Sequence, residues 1–139
     1  MEKALQDRLR AARIGWGQVH GRAAVDWSER KSNETTAFPA LVLTTVSPGR
    51  EYYQSGADGL TRPRIRAEIF DRTPLSAKAT KDALIAEMER EATFGGVRFN
   101  RAQLAFERDA DPEDLDGGLR LFRTILDFFV PNSPAQGTD

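Results

Sequence analysis

The sequence predicts an α+β fold: an antiparallel, mostly meander sheet of four to five strands, packed with two helices. The segment 64–71 alternates between apolar and charged residues, which is the pattern of a strand with one buried face. The segment that follows it, 74–92, has apolar residues at helical spacing. Runs rich in strand-forming residues at 40–47 and 119–130 supply further strands of the sheet.

The strand and helix from Arg62 to Arg90 form the predicted centre of the core. Apolar side chains of the strand point one way and charged ones the other, namely Ile65, Ala67 and Ile69 against Arg64, Arg66 and Glu68. Thr73 is a favourable N-cap, and Pro74 suits the first helical position because no backbone donor is needed there. Apolar residues then recur along one helix face, at Ala77, Leu84, Ile85, Met88 and Ala92. We expect the two apolar faces to cover each other.

The elements before this unit are predicted in chain order. A helix covers Glu2 to Arg13, and an extended piece runs near Gln18 to Val25. A polar loop continues to Thr36, and a central strand follows at 40–47. After a Pro-Gly turn, a return strand is predicted at Glu51 to Gln54.

The C-terminal third is predicted as two strands joined by an acidic loop. The alternating strand spans Val97 to Glu107, the loop Asp109 to Gly118, and the central, apolar last strand Leu119 to Val130. The chain is therefore predicted to form a single domain over 1–131, with a flexible C-terminal tail over 132–139.

Composition limits the classes of function. The chain is 40% hydrophobic and 29% charged, as a globular domain is, and its net charge of -1 argues against a broad attraction to nucleic acid or to anionic membranes. The absence of cysteine excludes disulfides, thiolate zinc sites and a cysteine nucleophile. No apolar run approaches the roughly 18 residues of a transmembrane helix, so we expect a soluble chain made in the cytoplasm.

The acidic loop is the first candidate for chemistry. Five carboxylates fall within eight residues: Asp109, Asp111, Glu113, Asp114 and Asp116. Calcium and magnesium prefer such oxygen ligands. However, an EF-hand loop that began at Asp109 would need glycine where Asp114 stands and glutamate where Arg120 stands. A solvated hairpin loop is the favoured interpretation, and no metal or cofactor is predicted.

Candidate catalytic groups are sparse. His20 is the one histidine, and it has neither a serine-centred motif nearby nor a second histidine to form a metal pair. The glycine pairs at 95–96 and 117–118 lack the phosphate-binding pattern and are interpreted as turns. Because no nucleophile, base and oxyanion site assemble, the sequence favours an assembly or binding module over an enzyme.

A row of arginines is the second candidate surface. Arg62, Arg64, Arg66 and Arg72, with Tyr52 and Tyr53 across a hairpin, are compatible with a nucleic-acid face. Acidic residues interleave with this row, so a solvated face, or one that meets carboxylates of a neighbouring subunit, is the favoured alternative. Trp16 and Trp27 flank an irregular segment, where they serve either as satellite core residues or as interface anchors.

The order of these segments resembles the tail completion, or tail terminator, proteins of long-tailed bacteriophages and the related gene transfer agents. The resemblance spans roughly residues 2 to 130. Its most specific parts are the strand entry GLTRPRIRAEIF at 59–70 and the closing strand GLRLFRTILDF at 118–128. The segment from Gly15 to Thr36 matches least well.

The resemblance implies a small α+β subunit that assembles into a ring, usually a hexamer, at the head-proximal end of the tail tube. Such a ring halts addition of tube subunits and joins the tail to the head connector, and DNA passes through its channel without specific binding. No catalysis, cofactor or membrane belongs to that role. The expected location is the head–tail joint of a phage or gene-transfer-agent particle that is assembled in the bacterial cytoplasm.

Three sets of residues are assigned hypothetical roles in such a ring. The predicted subunit interface contains Arg62, Arg64, Arg66, Glu68 and Arg72. The predicted tube or connector contact lies in 48–60 and 16–33 and contains Trp16, Trp27, Arg50, Tyr52, Tyr53 and Asp58. The acidic loop is expected near the channel or a ring face, where its charge would keep DNA from sticking. The alternatives are another head–tail joint component such as a head-closure or stopper protein, a small metal-dependent enzyme that uses the acidic loop, and a nucleic-acid-binding module.

Overall fold

The computed structural model describes residues 1–49 and 60–135 of the chain. Within these residues the chain forms two α-helices, α1 (Glu2–Ala11) and α2 (Pro74–Met88), and two 3-10 turns at Thr35–Ala37 and Asp116–Gly118. The strands are β1 (Gln18–Val19), β2 (Arg22–Ala23), β3 (Val25–Trp27), β4 (Ala40–Ser47), β5 (Arg64–Asp71), β6 (Ala92–Phe94), β7 (Val97–Phe99), β8 (Gln103–Asp114), β9 (Arg120–Phe129) and β10 (Asn132–Pro134).

The main sheet has five strands in the order β3-β4-β5-β9-β8. All neighbouring strands are antiparallel except β3 and β4, which pair in parallel at one edge. A smaller antiparallel sheet, β10-β7-β6, and a short β1–β2 ladder complete the fold. The predicted α+β class is thereby confirmed, and so is the central position of the last long strand, β9, between β5 and β8.

The predicted strand-helix unit forms as expected. Ile65 and Ile69 of β5 are fully buried, as the alternation required. The side-chain oxygen of Thr73 accepts a hydrogen bond from the backbone N–H of Ser76, and α2 begins at Pro74. The buried stripe of α2 contains Ala77, Thr80, Leu84 and Met88. Ala92 lies beyond the end of the helix, in β6, so its place in the predicted stripe is wrong.

Apolar clusters lie on both faces of the main sheet. The main core fills the space between the sheet and the helices and includes Leu5, Leu9, Ile65, Leu84, Leu126 and Phe128. A second core covers one end of the opposite face and contains Val19, Phe38, Val42, Phe70 and Leu121. Each fully buried side chain of this size contributes about 1.5–3 kcal/mol to folding. The remainder of that second face has no helix over it in the described part of the chain.

A buried arginine ties α1 to the end of α2. Arg8 is 3% exposed, and its Nε donates to Glu87 Oε2 at 2.9 Å. Its Nη2 also donates to the carbonyl oxygens of Glu87, in the last turn of α2, and of Arg90, two residues beyond the end of the helix. Burial lowers the pKa of Arg8, and the hydrogen bond and charge of Glu87 partly offset this effect.

The acidic loop prediction is wrong over most of its length. Residues Asp109 to Asp114 belong to strand β8, which pairs with β9: Asp109 is opposite Thr124 and Asp114 is opposite Arg120, with a register shift between Ala110 and Glu113. Only Asp116–Gly118 forms a turn. β8 is the edge of the sheet and is largely exposed, so it tolerates a run of charges that a central strand would not.

Other predicted boundaries also shift. The expected strand from Val97 to Glu107 is two strands, because the chain leaves the small sheet after Phe99, and the N–H of Ala102 donates to the carbonyl of Met88 before β8 begins. The extended piece from Gln18 to Val25 divides into β1, β2 and the start of β3.

The predicted flexible tail at 132–139 begins too early. Asn132–Pro134 form β10, paired with β7, and Asn132 is buried. The predicted return strand, Glu51 to Gln54, and the last four residues lie outside the described residues. Neither described helix is both long and apolar enough to cross a membrane.

Candidate functional site

The helix-free face is the side of the main sheet that points away from α1 and α2. Along β5 it carries Arg64, Arg66 and Glu68, because Ile65, Ala67 and Ile69 point into the main core. Directly opposed residues of antiparallel strands share a face, so the partners of this row on β9 lie there too. These partners are Phe129, Asp127 and Ile125.

Asp127 is the buried centre of this face. Its side chain is 0% exposed, and it lies directly opposite Arg66 in the sheet. Arg66 binds it with two hydrogen bonds, Nε to Oδ1 at 2.8 Å and Nη2 to Oδ2 at 3.1 Å. Arg64 adds a third from Nε to Oδ2 at 3.0 Å. The carboxylate is therefore paired twice and does not stand as a free buried charge.

The pKa of Asp127 depends on burial and on its two arginine partners. Burial raises the pKa, but the hydrogen bonds and charges of Arg66 and Arg64 outweigh it and hold the pKa below its ordinary value. The same hydrogen bond raises the pKa of Arg66. Both shifts favour the charged forms of Asp127 and Arg66.

Arg62 extends the charged row at the end of the sheet. Its Nη2 donates to Oε1 of Gln103 at 2.6 Å, and its guanidinium carbon lies 4.3 Å from the centre of the Phe129 ring. The guanidinium of Arg64 lies 5.7 Å from the same ring. Both arginines are thus positioned by cation–π contact with one aromatic side chain.

A second set of ion pairs borders the covered end of the face. Arg123 Nη2 lies 2.6 Å from Glu68 Oε2. Arg30 donates to both carboxylate oxygens of Glu113, at 2.9 and 3.0 Å, and its guanidinium lies 4.4 Å from the centre of the Phe70 ring. The hydrogen bond from Arg30 lowers the pKa of Glu113, against the opposing effect of burial. These contacts attach the segment before β4 to the edge strand.

Positive charge exceeds negative charge on the open part of the face. Arg108 also belongs there, because it lies opposite Ile125, which is opposite Glu68. We call Arg62, Arg64, Arg66 and Arg108 the arginine face; among the described residues the one carboxylate bound to any of them is that of Asp127. Phe106, opposite Asp127, is 40% exposed beside them. Such a surface can bind a partner that carries carboxylates or phosphates.

The predicted subunit-interface residues are only partly brought together. Arg62, Arg64, Arg66 and Glu68 share the helix-free face. Arg72 does not, because it follows β5 at the other end of the strand and is exposed in the turn before α2.

The two tryptophans pack inside the chain. Trp16 is 7% exposed within the main core, and its Nε1 donates to the carbonyl of Leu9 at 2.9 Å. Trp27 packs against the same core while its Nε1 donates to the carbonyl of Glu2 at 3.0 Å. These contacts favour the core-packing interpretation, most strongly for Trp16. The other predicted contact residues, Arg50, Tyr52, Tyr53 and Asp58, lie outside the described residues.

The five acidic residues of the sequence cluster have different environments. Asp109 accepts a hydrogen bond from Thr124, and Glu113 is held by Arg30. Asp114 lies 3.3 Å from Arg120, with both side chains exposed. Asp111 and Asp116 make no ion pair within residues 1–49 and 60–135. In that same part of the chain, no group of three or more histidine, aspartate or glutamate side chains is arranged to hold a metal ion.

The residue at the centre of the face was not among the predicted site residues. Asp127 stands alone in the apolar run ILDFFV, and a carboxylate in a buried strand needs a charged partner. The arginine row at 62–66 supplied that partner, but only the register of β5 against β9 brings the two together. Arg8 and Arg30 gave no comparable signal.

Compared with known proteins, the sequence matches no protein-family model and is significantly similar to no curated protein. The site is therefore interpreted from its residues and their geometry.

Proposed function

We propose that this chain is a tail terminator: a structural subunit that forms a ring, of six copies in the simplest case, at the head-proximal end of a tail tube. The ring stops tube polymerisation and joins the tail to the head connector of a phage or gene-transfer-agent particle. In this role the chain binds copies of itself, the tube protein and the connector, while DNA passes through the channel without specific contact.

The observation that carries the proposal is the arginine face. Arginine and aromatic residues are enriched at protein interfaces, and this face combines four arginines with the rings of Phe106 and Phe129. Charged groups across an interface also select the partner and fix its orientation. A surface of this kind suits contact with a macromolecule.

The position of the face in the fold supports repeated assembly. It lies on β5 and β9, the central strands of the sheet, with the main core behind them. Its geometry is therefore fixed by the most buried part of the molecule and is the same in every copy. Identical, rigid contact surfaces are what a closed ring of identical subunits requires.

The assignments within the ring follow the sequence hypotheses. The row Arg62, Arg64, Arg66 and Glu68 contacts a neighbouring subunit, and Arg72 lies apart from this row at the other end of β5. The segments 16–33 and 48–60 contact the tube or the connector. The exposed carboxylates at the end of β8 lie near the channel or a ring face.

Deletion of the gene in the producing bacterium separates a terminator from a head-closure or stopper protein. Loss of a terminator leaves tube growth uncontrolled, so we expect tails of irregular length that are not joined to heads. Loss of a stopper leaves tails of normal length and heads that release their DNA. Electron microscopy of the particles distinguishes the two, and normal, fully joined particles would refute both.

A nucleic-acid-binding module is the second candidate, because a row of arginines beside exposed rings also suits a phosphate backbone. Affinity for DNA would then fall steeply with salt, since each neutralised phosphate releases a counterion. We expect weak binding that is lost at physiological salt, as measured by fluorescence anisotropy. Strong binding that persists there would favour the nucleic-acid function over the ring.

We also propose that the chain has no catalytic role. The competing hypothesis is a metal-dependent enzyme that uses the carboxylates at 109–116. Metal that binds only the folded chain must raise its melting temperature. We expect no shift with added calcium or magnesium; a concentration-dependent rise that is lost in an Asp111→Asn, Asp116→Asn variant would contradict this proposal.

A further inference from the structure

We infer that the arginine face of one copy docks on the acidic end of β8 of a second copy, so that subunits join head to tail. The acidic end consists of Asp111, Asp114 and Asp116. This inference rests on the proposed ring and names the two surfaces that form its subunit contact. It also assigns these carboxylates to that contact and not to the channel.

The two surfaces are complementary in charge. The arginine face sets four guanidinium groups against the single carboxylate of Asp127, which is already buried. The acidic end carries three exposed carboxylates, and among the described residues the one ion pair they make is that of Asp114 with Arg120. Both surfaces are exposed, and the chain as a whole is nearly neutral. The charge is therefore separated between two regions, and each region suits the other on a second copy.

Their placement favours a head-to-tail contact. Arg62 is bound to Gln103, which pairs with Phe129 at the end of β9. Asp114 pairs with Arg120 at the start of the same strand. β9 has ten residues, so Arg62 and Asp114 lie near ends that are about 30 Å apart at the rise of a β-strand, and Arg108, opposite Ile125, lies between them.

The symmetry of the contact follows from this separation. Two arginine faces would repel each other, so a two-fold pairing of like surfaces is disfavoured. When the face and the end of one copy bind two different neighbours, they generate a ring, or a filament if the rotation does not close, whereas reciprocal binding of one neighbour gives a dimer that native mass spectrometry reads as two subunits.

The edges of the sheet argue for side-chain docking over strand addition. At the β3 edge, the carbonyl of Val25 already accepts hydrogen bonds from Gln6 at 2.9 Å and Arg10 at 3.1 Å, so α1 covers that edge. The β8 edge has two register shifts, Pro112 and a run of charges, all of which discourage pairing with another strand. Charged side chains therefore form the contact.

Charge reversal tests the contact without disturbing the buried ion pairs. The face-reversed variant carries Arg62→Glu and Arg108→Glu, which leaves both partners of Asp127 in place. The end-reversed variant carries Asp111→Arg and Asp116→Arg, which leaves Glu113 bound to Arg30. We expect each variant alone to self-associate about a hundredfold more weakly than the wild type or worse, because like charges now meet at every contact. Sedimentation velocity measures the change.

The decisive sample is an equimolar mixture of the two variants. A face-reversed copy meets an end-reversed copy with opposite charges at both of its contacts, so the mixture recovers the wild-type oligomer. The copies then alternate around the ring, which requires an even number of subunits, and native mass spectrometry reads this composition. Recovery must also weaken as salt is raised.

A matched control carries Arg13→Glu and Arg98→Glu, the same change in charge at exposed arginines outside both surfaces. It must associate as the wild type does, and circular dichroism must show all variants folded. The inference is overturned if the wild type is a monomer up to about 1 mM, if either reversed variant associates normally, or if the folded mixture does not recover. Failure here while the wild type still limits tube length would reject the contact and leave the terminator function standing.

Discussion

Asp127, Arg64 and Arg66 allow a prediction about which of two substitutions destabilises the chain more. Two substitutions break the same cluster from opposite sides: Asp127→Asn, and Arg64→Gln together with Arg66→Gln. The first removes a carboxylate that is 0% exposed and leaves two arginines whose side chains are 34% and 44% exposed. The second leaves the buried carboxylate with no cation beside it. We expect the second to destabilise the chain more.

The magnitudes follow from where each remaining charge can go. After Asp127→Asn the guanidinium groups turn toward water, so the loss is that of hydrogen bonds to a charged group, about 1–3 kcal/mol in free energy of unfolding. After the double arginine substitution the carboxylate stays between Ile125 and Phe129 on the same face of β9 without a bound cation, which costs about 3–5 kcal/mol in free energy of unfolding. Arg120→Gln breaks an exposed pair with Asp114 and should cost less than about 1 kcal/mol.

The pH dependence of the free energy of unfolding gives a second, independent test. In the wild type the pKa of Asp127 is depressed, so its contribution is present above the pKa of the unfolded chain and is lost as pH falls through the folded value. In the double arginine variant the buried carboxylate has a raised pKa, so protonation stabilises the folded state. The difference in stability between this variant and the wild type must therefore shrink between pH 7 and about pH 4.

Urea unfolding followed by circular dichroism, at matched protein concentration, measures these free energies. The reasoning is refuted if Asp127→Asn costs more than the double arginine substitution at neutral pH. It is equally refuted if the deficit of the double variant grows on acidification.

Two further predictions concern a buried arginine and a tightly packed glycine, and the same unfolding assay checks both. Arg8→Met removes the side-chain donor to the carbonyl of Arg90 and a buried cation bound to the Glu87 carboxylate, so it should cost about 2–4 kcal/mol in free energy of unfolding. The exposed control Lys3→Met should cost less than about 1 kcal/mol; equal costs would contradict the role of Arg8. Gly17→Ala places a Cβ against the backbone of Ala37 and should cost about 3 kcal/mol or more. In the control Gly96→Ala the added Cβ meets open space, and the positive φ alone lowers the free energy of unfolding by about 1 kcal/mol. A smaller loss of stability for Gly17→Ala than for this control would contradict the prediction.

The elements that sequence reasoning predicted well are those fixed by local chemistry. The alternation from Arg64 to Asp71 required one buried face, and Thr73 with Pro74 required a helix start. Neither depends on knowing which other strand lies alongside. The buried face of β5 and the first residue of α2 were therefore predictable from the sequence alone.

Elements that depend on distant pairing were not predictable in the same way. The residues Asp109 to Asp114 have the composition of a loop, and they form a strand only because β9 provides hydrogen-bonding partners on one side. Asn132–Pro134 form a strand because they pair with β7. β3 pairs in parallel with β4, to which a long connection joins it. Local patterns contain no information on such partners.

The candidate site combines both cases. The arginine row on β5 was visible as a pattern, but its partner on β9 was hidden inside an apolar run until the register joined them. Trp16 is a related case, because its residue type allowed either a core residue or an interface anchor, and its burial in the core favours the first. Burial and register, which are properties of the whole fold, decided both positions.

The most direct test of the proposed function is the length of tail tubes assembled in vitro. Tube protein from the same genome would be polymerised with increasing amounts of this chain, and tube lengths and ends measured by negative-stain electron microscopy. A terminator must shorten the tubes in proportion to its concentration and appear as a ring at one end of each. Tubes of unchanged length with bare ends would contradict the account.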